Sequence, residues 1–241
     1  VPEMYVPVAS YFAHKQDTLF AKPVRSTLLK AMDGADVVHI YEPFALGREA
    51  QRIAKKMGIP TIAGFHIQPE NITYNIGLGW CHAASRLIYR LMYLFFYRRF
   101  NHIHCPSKFI ASQLQSHGYK ASLHIISNGV HPDFHPGEEG EQKGNTFNIL
   151  MVGRLSPEKR QDVIIKAVME SKYADRIQIY FAGYGPWEKK LRRLGAPLPH
   201  PPIFGYYTQD ELIKLIRRCH LYVHASDVEI EGISCMEAFC C

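Results

Sequence analysis

The chain has 241 residues, which suffices for one large or two small domains that each bury a core. Hydrophobic residues make up 47% and charged residues 21%, a balance that excludes a disordered chain and is typical of a soluble α/β protein. The formal net charge is +6, and no run of eighteen apolar residues occurs, so no membrane-spanning helix is expected.

The six cysteines show no C-x-x-C spacing and fall mostly in apolar contexts. This pattern is typical of reduced thiols in a cytosolic protein and argues against a zinc site. The chain starts at Val1 and ends at Cys241 inside an apolar helical pattern, so we expect a fragment cut at both ends.

The positive charge is concentrated in one segment. Residues 71–132 contain six basic residues and no Asp or Glu, whereas the rest of the chain is balanced. This asymmetry indicates an anionic partner surface.

The first half alternates predicted strands and helices, which implies a parallel sheet. Short apolar runs predict strands at 37–41, 60–65, 101–105 and 122–126, and terminal signals place helices near 26–32 and at 45–57 and 108–117.

His66 directly follows the second predicted strand. The carboxyl ends of parallel strands face the ligand crevice in open α/β sheets, so this histidine is a candidate for substrate contact. A histidine satisfied by loop backbone is the alternative. The glycine-containing stretch 67–79 is predicted to be a long binding loop. His102 and His104 share one strand face, and without a third ligand they are interpreted as packing or surface groups rather than metal ligands.

Residues 80–100 predict a basic, aromatic-rich amphipathic helix. Such a helix suits the headgroup zone of an anionic bilayer. The alternative is a helix packed into the domain core with solvated arginines. The residues expected to contact a membrane are Trp80, Arg86, Arg90, Arg98 and Arg99.

A turn-rich and then acidic stretch at 128–146 predicts an interdomain linker, with domains at 1–127 and 147–241. In the second domain, strands are predicted at 147–152, 177–182, 202–204 and 221–224, and helices at 160–171, 186–194 and 209–218. Two α/β halves with a cleft between them are expected.

The stretch 148–160 reads as a buried strand, a glycine turn and the start of a helix. Gly153 has no Cβ to obstruct a ligand. Arg154 lies on the turn and Lys159 at the predicted start of the helix, where unpaired N–H groups favour an anion. These residues form a candidate diphosphate-binding site. The alternative is an ordinary strand–helix turn with solvated charges, and these residues taken alone favour that alternative.

Two acids near the C-terminus are further candidates. Glu229 lies in a loop before Gly232, and Glu237 lies inside the apolar helix predicted at 233–241. An acid in such a helix is usually paired or binds something polar, and a helix-surface glutamate is the alternative.

Four features in this order carry a family resemblance. They are Thr-Ile-Ala-Gly-Phe-His at 61–66, Asn-Gly-Val at 128–130, Gly153-Arg154 with Lys159, and Glu229 with Glu237 seven residues between them. The set resembles retaining glycosyltransferases of family 4, and it covers the chain from about residue 36 to the end. The resemblance implies an α/β GT-B fold, in which two Rossmann-like domains, both truncated here, face a cleft.

The resemblance also implies site roles. Arg154 and Lys159 would hold the diphosphate of a nucleotide sugar in place of a metal ion, in keeping with the absence of an Asp-x-Asp triplet, and no cofactor is expected. Glu237 would bind the donor ribose, Glu229 the donor sugar, and His66 the sugar and the acceptor side. Family members transfer the sugar with retention, and the leaving phosphate helps to deprotonate the acceptor hydroxyl.

The chain also departs from the family pattern. The family's first strand and its glycine-rich loop would precede Val1, and the closing part of the second domain would follow Cys241, so the fragment alone is not expected to be active. Glu231 stands where an aromatic residue is usual.

The leading hypothesis is a hexosyltransferase that acts on a lipid acceptor at the cytosolic membrane face. The segments 66–73 and 229–238 resemble bacterial transferases that glucosylate diacylglycerol. Transfer to a soluble sugar or a cell-wall precursor is one alternative. Others are a nucleotide-sugar epimerase and a non-catalytic binder of anionic surfaces or nucleic acid. A nucleic-acid partner is not expected, because the aromatics of 87–97 run together instead of spacing out as stacking platforms.

Overall fold

The computed structural model describes residues 2–7, 10, 14, 19–137 and 146–241. The chain divides into two compact units, Val1–Asn128 and Gly129–Cys241. Each unit is described by itself below.

The first unit contains a four-stranded parallel sheet with the order β1-β2-β3-β4. Its strands are β1 (Val38–Ile40), β2 (Thr61–Gly64), β3 (His102–Cys105) and β4 (Ser122–Ile125). Its helices are α1 (Arg25–Met32), α2 (Ala45–Met57), α3 (Pro69–Asn75), α4 (His82–Phe95) and α5 (Lys108–Ser116), and a 3-10 turn spans Tyr97–Arg99.

Local signals explain where two of these helices start and stop. Gly58 ends α2 in the left-handed conformation, at φ 74°, and its N–H bonds to the carbonyl of Lys55. Ser107 caps α5, because its hydroxyl accepts a hydrogen bond from the N–H of Ile110 at 3.3 Å. Both boundaries agree with the signals in the sequence.

Two sequence predictions in this unit are wrong. The stretch 67–79 is not a continuous loop, because Pro69 starts the helix α3 and its fixed φ suits that position. The predicted helix 80–100 is shorter: Trp80 lies on a turn before α4, and the chain tightens into the 3-10 turn after Phe95. The Tyr89 hydroxyl on α4 donates to the Glu70 carboxylate on α3 at 3.2 Å, and this hydrogen bond links helices α3 and α4.

The core of the first unit is rich in aromatic residues. Phe65, Tyr89 and Tyr97 are fully buried, and Tyr119 lies beside them. The two buried hydroxyls of Tyr97 and Tyr119 donate to the backbone carbonyls of Gly64 and Tyr89, so burial leaves neither unsatisfied.

The second unit also contains a four-stranded parallel sheet, in the order β7-β6-β5-β8. Its strands are β5 (Phe147–Val152), β6 (Ile177–Ala182), β7 (Ile203–Gly205) and β8 (Leu221–Tyr222). Its helices are α6 (Gln161–Met169), α7 (Glu188–Gly195), α8 (Gln209–Arg218) and α9 (Ile233–Cys240), with 3-10 turns at Pro157–Lys159 and Ala174–Arg176.

Helices pack on the central strands of this unit to form its core. Leu150, Met151 and Phe181 on β5 and β6 are buried, as is Ile165 on α6. A capping box starts α8: the Thr208 hydroxyl accepts from the N–H of Glu211, and the Glu211 carboxylate accepts from the N–H of Thr208.

Part of the stretch predicted as a linker packs against the second unit. Phe134 is buried there, and Gln209 on α8 donates to the Asp133 carboxylate at 2.7 Å. Residues 138–145 of the predicted linker lie outside the described residues.

All six cysteines are free thiols. Among the described helices, none is both long enough and apolar enough to cross a bilayer.

Candidate functional site

The loops that follow β5 and β6 pack against each other at the carboxyl ends of these strands. The N–H of Gly153 bonds to the Ala182 carbonyl at 2.9 Å, and the N–H of Leu155 bonds to the Tyr184 carbonyl at 3.1 Å. A Cβ on Gly183 would lie 2.1 Å from the Gly153 carbonyl oxygen, so only glycine fits there. The loop that carries Arg154 is therefore held by backbone contacts.

The chain after this loop does not enter a helix at Lys159. Residues Pro157–Lys159 form a 3-10 turn, Arg160 adopts a left-handed conformation at φ 53°, and α6 starts only at Gln161. The Arg160 guanidinium donates to the carboxylate of Asp227 at 2.8 Å. The helix therefore begins one residue after its predicted start, and a 3-10 turn lies between it and the loop that carries Arg154.

Lys159 forms an ion pair with Glu229, which follows β8. The Cδ and Cε atoms of Lys159 also pass 4.0 Å from the position of a Cβ on Gly153. Three residues that the sequence analysis selected separately, Gly153, Lys159 and Glu229, are therefore neighbours.

The Glu229 carboxylate has a second partner. Its Oε1 lies 2.8 Å from Nε2 of His224. Burial disfavours the charged carboxylate, but the His224 hydrogen bond and the Lys159 ammonium outweigh burial and hold the pKa of Glu229 at about 2. Glu229 is thus a fixed negative charge at neutral pH.

His224 and the hydrogen-bond network that it forms with Tyr222 and Ser234 were not predicted from the sequence. The Tyr222 hydroxyl donates to Ser234 Oγ at 2.9 Å and lies 3.3 Å from His224 Nδ1, which links β8 to the start of α9. A histidine just past the carboxyl end of a parallel strand was the available signal, and the same signal identified His66.

The remaining predicted donor residues, Arg154 and Glu237, are both half-buried. The Arg154 carbonyl accepts a hydrogen bond from the buried side chain of Gln161 at 2.7 Å, which fixes the backbone of that loop. Glu237 lies on α9, and burial raises the pKa of its carboxyl group. Within the described part of the chain it makes no hydrogen bond or ion pair with another side chain.

Two exposed tyrosines stand on neighbouring loops of this unit. Tyr184 follows β6 and Tyr206 follows β7, their rings meet edge to face at 5.4 Å, and Tyr206 is 78% exposed. The N–H of Gly183 bonds to the Gly205 carbonyl at 2.7 Å and holds the two loops together.

In the first unit, His66 lies beside two other histidines. Ligand nitrogens of His39, His66 and His104 all lie within 4.8 Å of one another. The expectation that His104 has no further metal-ligating neighbours is therefore wrong, because strand pairing brings together residues far apart in sequence. His102 lies apart from them, with Nδ1 at 3.0 Å from Nε2 of His124.

Helix α4 buries one face and exposes another. Ser85 and Tyr89 are buried, whereas the opposite side carries both apolar and basic side chains. The exposed residues of α4 and of the turn after it are His82, Ala83, Arg86, Leu87, Arg90, Leu91, Leu94, Phe95, Arg98 and Arg99. Trp80, on the turn before α4, is 77% exposed. The helix thus combines a packed face with an uncovered apolar and basic surface.

Further arginines extend the positive charge near the end of α4. Burial and the neighbouring charges of Arg48, Arg98 and Arg52 lower the pKa of Arg99. Two of these neighbours, Arg48 and Arg52, lie on α2 and were not part of the membrane-contact prediction.

Two family models together match nearly all of the chain. The model described as Glycosyltransferase Family 4 matches residues 2–134, and the model described as Glycosyl transferases group 1 matches residues 137–241.

The curated relatives are distant in sequence, but the matches extend over most of this chain. An alpha-monoglucosyldiacylglycerol synthase from Streptococcus pneumoniae is 25% identical over 97% of this chain and 56% of the relative. A GDP-mannose-dependent alpha-mannosyltransferase from Corynebacterium glutamicum is 24% identical over 80% of this chain and 46% of the relative. The chain spans about half the length of these curated relatives.

Solved structures show the same fold. Anabaena Alr3699/HepE, solved in complex with UDP-glucose, matches with a TM-score of 0.71 and 18% identity over 93% of this chain and 64% of that chain. TarM matches with a TM-score of 0.65 and 16% identity over 88% of this chain and 41% of that chain. The parallel α/β units are therefore of the GT-B type, and the chain belongs to glycosyltransferase family 4.

Proposed function

We propose that the full-length protein transfers a hexose from a nucleotide diphosphate sugar to an acceptor hydroxyl, with retention of anomeric configuration. The observation that carries this proposal is the Lys159–Glu229–His224 cluster beside Gly153, at the carboxyl ends of β5 and β8. Ligands of open α/β sheets bind at this edge.

In the proposed complex, Arg154 and Lys159 hold the donor diphosphate. Their positive charges offset the charge that develops on the leaving group, and electrostatics fixed in advance act most strongly at that point. Lys159 is already oriented by Glu229, so the ammonium need not be ordered when the donor binds. Metal-independent donor binding follows from this use of two cations.

Glu229 accepts hydrogen bonds from the donor sugar hydroxyls in this proposal, and Glu237 accepts them from the ribose. A carboxylate with a pKa of about 2 stays charged and acts as a strong acceptor. Glu237 is half-buried and makes no described hydrogen bond or ion pair with another side chain, so its carboxylate oxygens are available to a ligand. His66 contacts the sugar and the acceptor.

The base of the nucleotide stacks on the pair Tyr184 and Tyr206. Stacking on an aromatic ring is worth about 1–3 kcal/mol per base and suits any base. The structural neighbour solved with UDP-glucose supports a nucleotide sugar as the donor class.

We further propose that the acceptor is a membrane lipid such as diacylglycerol and that the protein works as a peripheral protein at the cytosolic membrane face. The exposed leucines and Phe95 of α4 lie among arginines, which is the composition of helices that rest in an anionic interface. The name of the pneumococcal relative, a diacylglycerol glycoside synthase, supports the same acceptor class. A soluble sugar or a cell-wall precursor is the alternative acceptor.

A donor screen with the full-length protein tests the transferase proposal, with released nucleotide diphosphate as the readout. Arg154→Ala combined with Lys159→Ala is expected to abolish release while circular dichroism still shows a folded protein. Thermal unfolding should shift to a lower temperature, because Glu229 loses the ammonium of Lys159. The control is Lys166→Ala, which removes an exposed lysine whose ion pair, among the described residues, is with Asp162 on the same helix. Normal transfer by the double variant would overturn the assignment.

A further inference from the structure

Strand pairing brings three histidines to one place in the first unit. His39 lies on β1 and His104 on β3, and His66 follows β2, the strand between them. His104 is paired in register with Gly64, two residues before His66. Within the described ranges these are the sole His, Cys, Asp or Glu residues grouped in threes with ligand atoms within 4.8 Å of one another.

Gly64 provides the space in which the rings approach each other. A Cβ at this position would lie 2.6 Å from Cδ2 and Nε2 of His66 and 3.2 Å from Nε2 of His39. Any other residue at position 64 would push both rings apart. Tyr41 stacks on the His66 ring at 4.5 Å, which holds that ring in place from the other side.

His104 has the hydrogen-bonding pattern of a metal ligand. Its side chain is buried, with 7% exposure, and its Nε2 donates to the Ile126 carbonyl at 2.7 Å. That bond leaves the Nδ1 atom of His104 as the nitrogen with the lone pair, and Nδ1 has no hydrogen-bond partner among the described residues. Metal-binding histidines commonly donate their second ring nitrogen to a backbone carbonyl in this way.

Three neutral nitrogen ligands select borderline metals such as Zn²⁺ and disfavour Mg²⁺ and Ca²⁺, which require oxygen ligands.

We propose that His39, His66 and His104 form a binding site for a Zn²⁺-like divalent cation, with three imidazole ligands and a fourth position open to water or an anion. A tetrahedral site with Zn–N bonds of about 2.0–2.1 Å places its nitrogens about 3.3 Å apart. The three ligand nitrogens lie within 4.8 Å of one another, so they approach by up to about 1.5 Å when the cation binds. All three ligands lie in the first unit, and His66 is also the residue proposed to contact the sugar and the acceptor.

Calorimetric titration of the metal-free full-length protein with Zn²⁺ and with Mg²⁺ tests the proposal. We expect one Zn²⁺ per chain, no heat from Mg²⁺, and a tetrahedral Co²⁺ absorption band when Co²⁺ replaces Zn²⁺. His39→Ala and His104→Ala should each weaken Zn²⁺ binding at least about 10-fold and remove the Co²⁺ band. His39 is exposed, so its variant remains informative if the His104 variant fails to fold.

The matched control is His102→Ala. His102 starts the same strand as His104, two residues before it, but its ring contacts His124 on β4 and it is not part of the histidine group, so its removal should leave the site intact. Equal Zn²⁺ affinity in the wild type, His39→Ala and His104→Ala would overturn the proposal. Loss of Zn²⁺ binding in His102→Ala, with binding kept in His39→Ala and His104→Ala, would also overturn it.

A prediction about inhibition by Zn²⁺ rests on the proposed function of His66 in transfer. If His66 contacts the sugar and the acceptor, Zn²⁺ on His66 must inhibit transfer, and His39→Ala must relieve that inhibition. Zn²⁺ binding without inhibition would contradict the role of His66 in transfer and leave the metal site standing, so the two failures are distinguishable.

Discussion

The ammonium of Lys159 and the carboxylate of Glu229 lie 70 residues apart in sequence and form an ion pair at the carboxyl ends of β5 and β8. The pair joins the proposed diphosphate-binding loop to the proposed sugar-binding loop. Both side chains are largely shielded from solvent, with 20% and 28% exposure, so the pair is screened less than an ordinary surface ion pair.

The His224 hydrogen bond and the Lys159 ammonium, which together stabilise the charged Glu229 carboxylate, predict a specific dependence of stability on pH. The folded pKa of Glu229 is about 2, below its usual 4.5, so its contribution is complete above pH 4.5 and is lost as the pH falls towards 2. The shift corresponds to a contribution on the order of 3 kcal/mol at neutral pH. Urea unfolding at pH 6 and pH 3 should show that Glu229→Gln lowers the free energy of unfolding much more at pH 6.

The control for this measurement is Glu170→Gln, at an exposed position after α6. It should change the free energy of unfolding little at either pH. A Glu229→Gln effect that is the same at pH 3 and pH 6 would contradict the depressed pKa.

Gly183 is predicted to be intolerant of any side chain. Its φ of 148° is rarely adopted by other residues, and a Cβ there would lie 2.1 Å from the Gly153 carbonyl oxygen. Gly183→Ala should therefore destabilise the second unit by about 2–5 kcal/mol through backbone strain and overpacking, as measured by chemical unfolding. It should also raise the KM for the donor, because the loop that carries Arg154 must move.

Gly129→Ala is the control for Gly183→Ala, because it measures the cost of backbone strain without a steric overlap. Gly129 also has a positive φ, 78°, but nothing lies within 4 Å of its Cβ position. We expect a loss of about 1 kcal/mol there. Equal losses in the two variants would show that the contact with Gly153 does not matter.

The fold was largely predictable because its signals are local. The helix 45–57 was predicted to the residue, since apolar periodicity and Gly58 mark it. The 3-10 turn at Pro157–Lys159 was not, because Glu158 and Arg160 both form long-range hydrogen bonds with Asp227 that compete with a helix. The links from Lys159 to Glu229 and among His39, His66 and His104 depend on which strands lie side by side, and one sequence does not contain that information.

Tyr206 is predicted to bind the donor base. Tyr206→Ala should raise the KM for the nucleotide sugar about 10-fold and leave kcat nearly unchanged, because stacking contributes equally to the ground state and the transition state. Tyr173→Ala is the control: Tyr173 is also exposed, but it precedes β6 and so lies at the opposite end of the strands. Steady-state kinetics with the nucleotide sugar as the varied substrate test this prediction. An unchanged KM in Tyr206→Ala would exclude the stacking role.

The exposed face of α4 is predicted to bind anionic membranes. Replacing Leu87, Leu91 and Phe95 together by serine should abolish flotation of the full-length protein with vesicles of phosphatidylglycerol and phosphatidylcholine. These side chains are exposed, so their loss should not affect folding.

Replacing Arg86, Arg90, Arg98 and Arg99 by glutamine should weaken binding most at low salt, since each basic residue near such a surface contributes about 1 kcal/mol. Phe109→Ser is the control, because Phe109 is equally exposed but lies on α5. Flotation that survives in the triple serine variant, or wild-type protein that binds no vesicles, would contradict the lipid acceptor and leave a soluble acceptor as the better hypothesis.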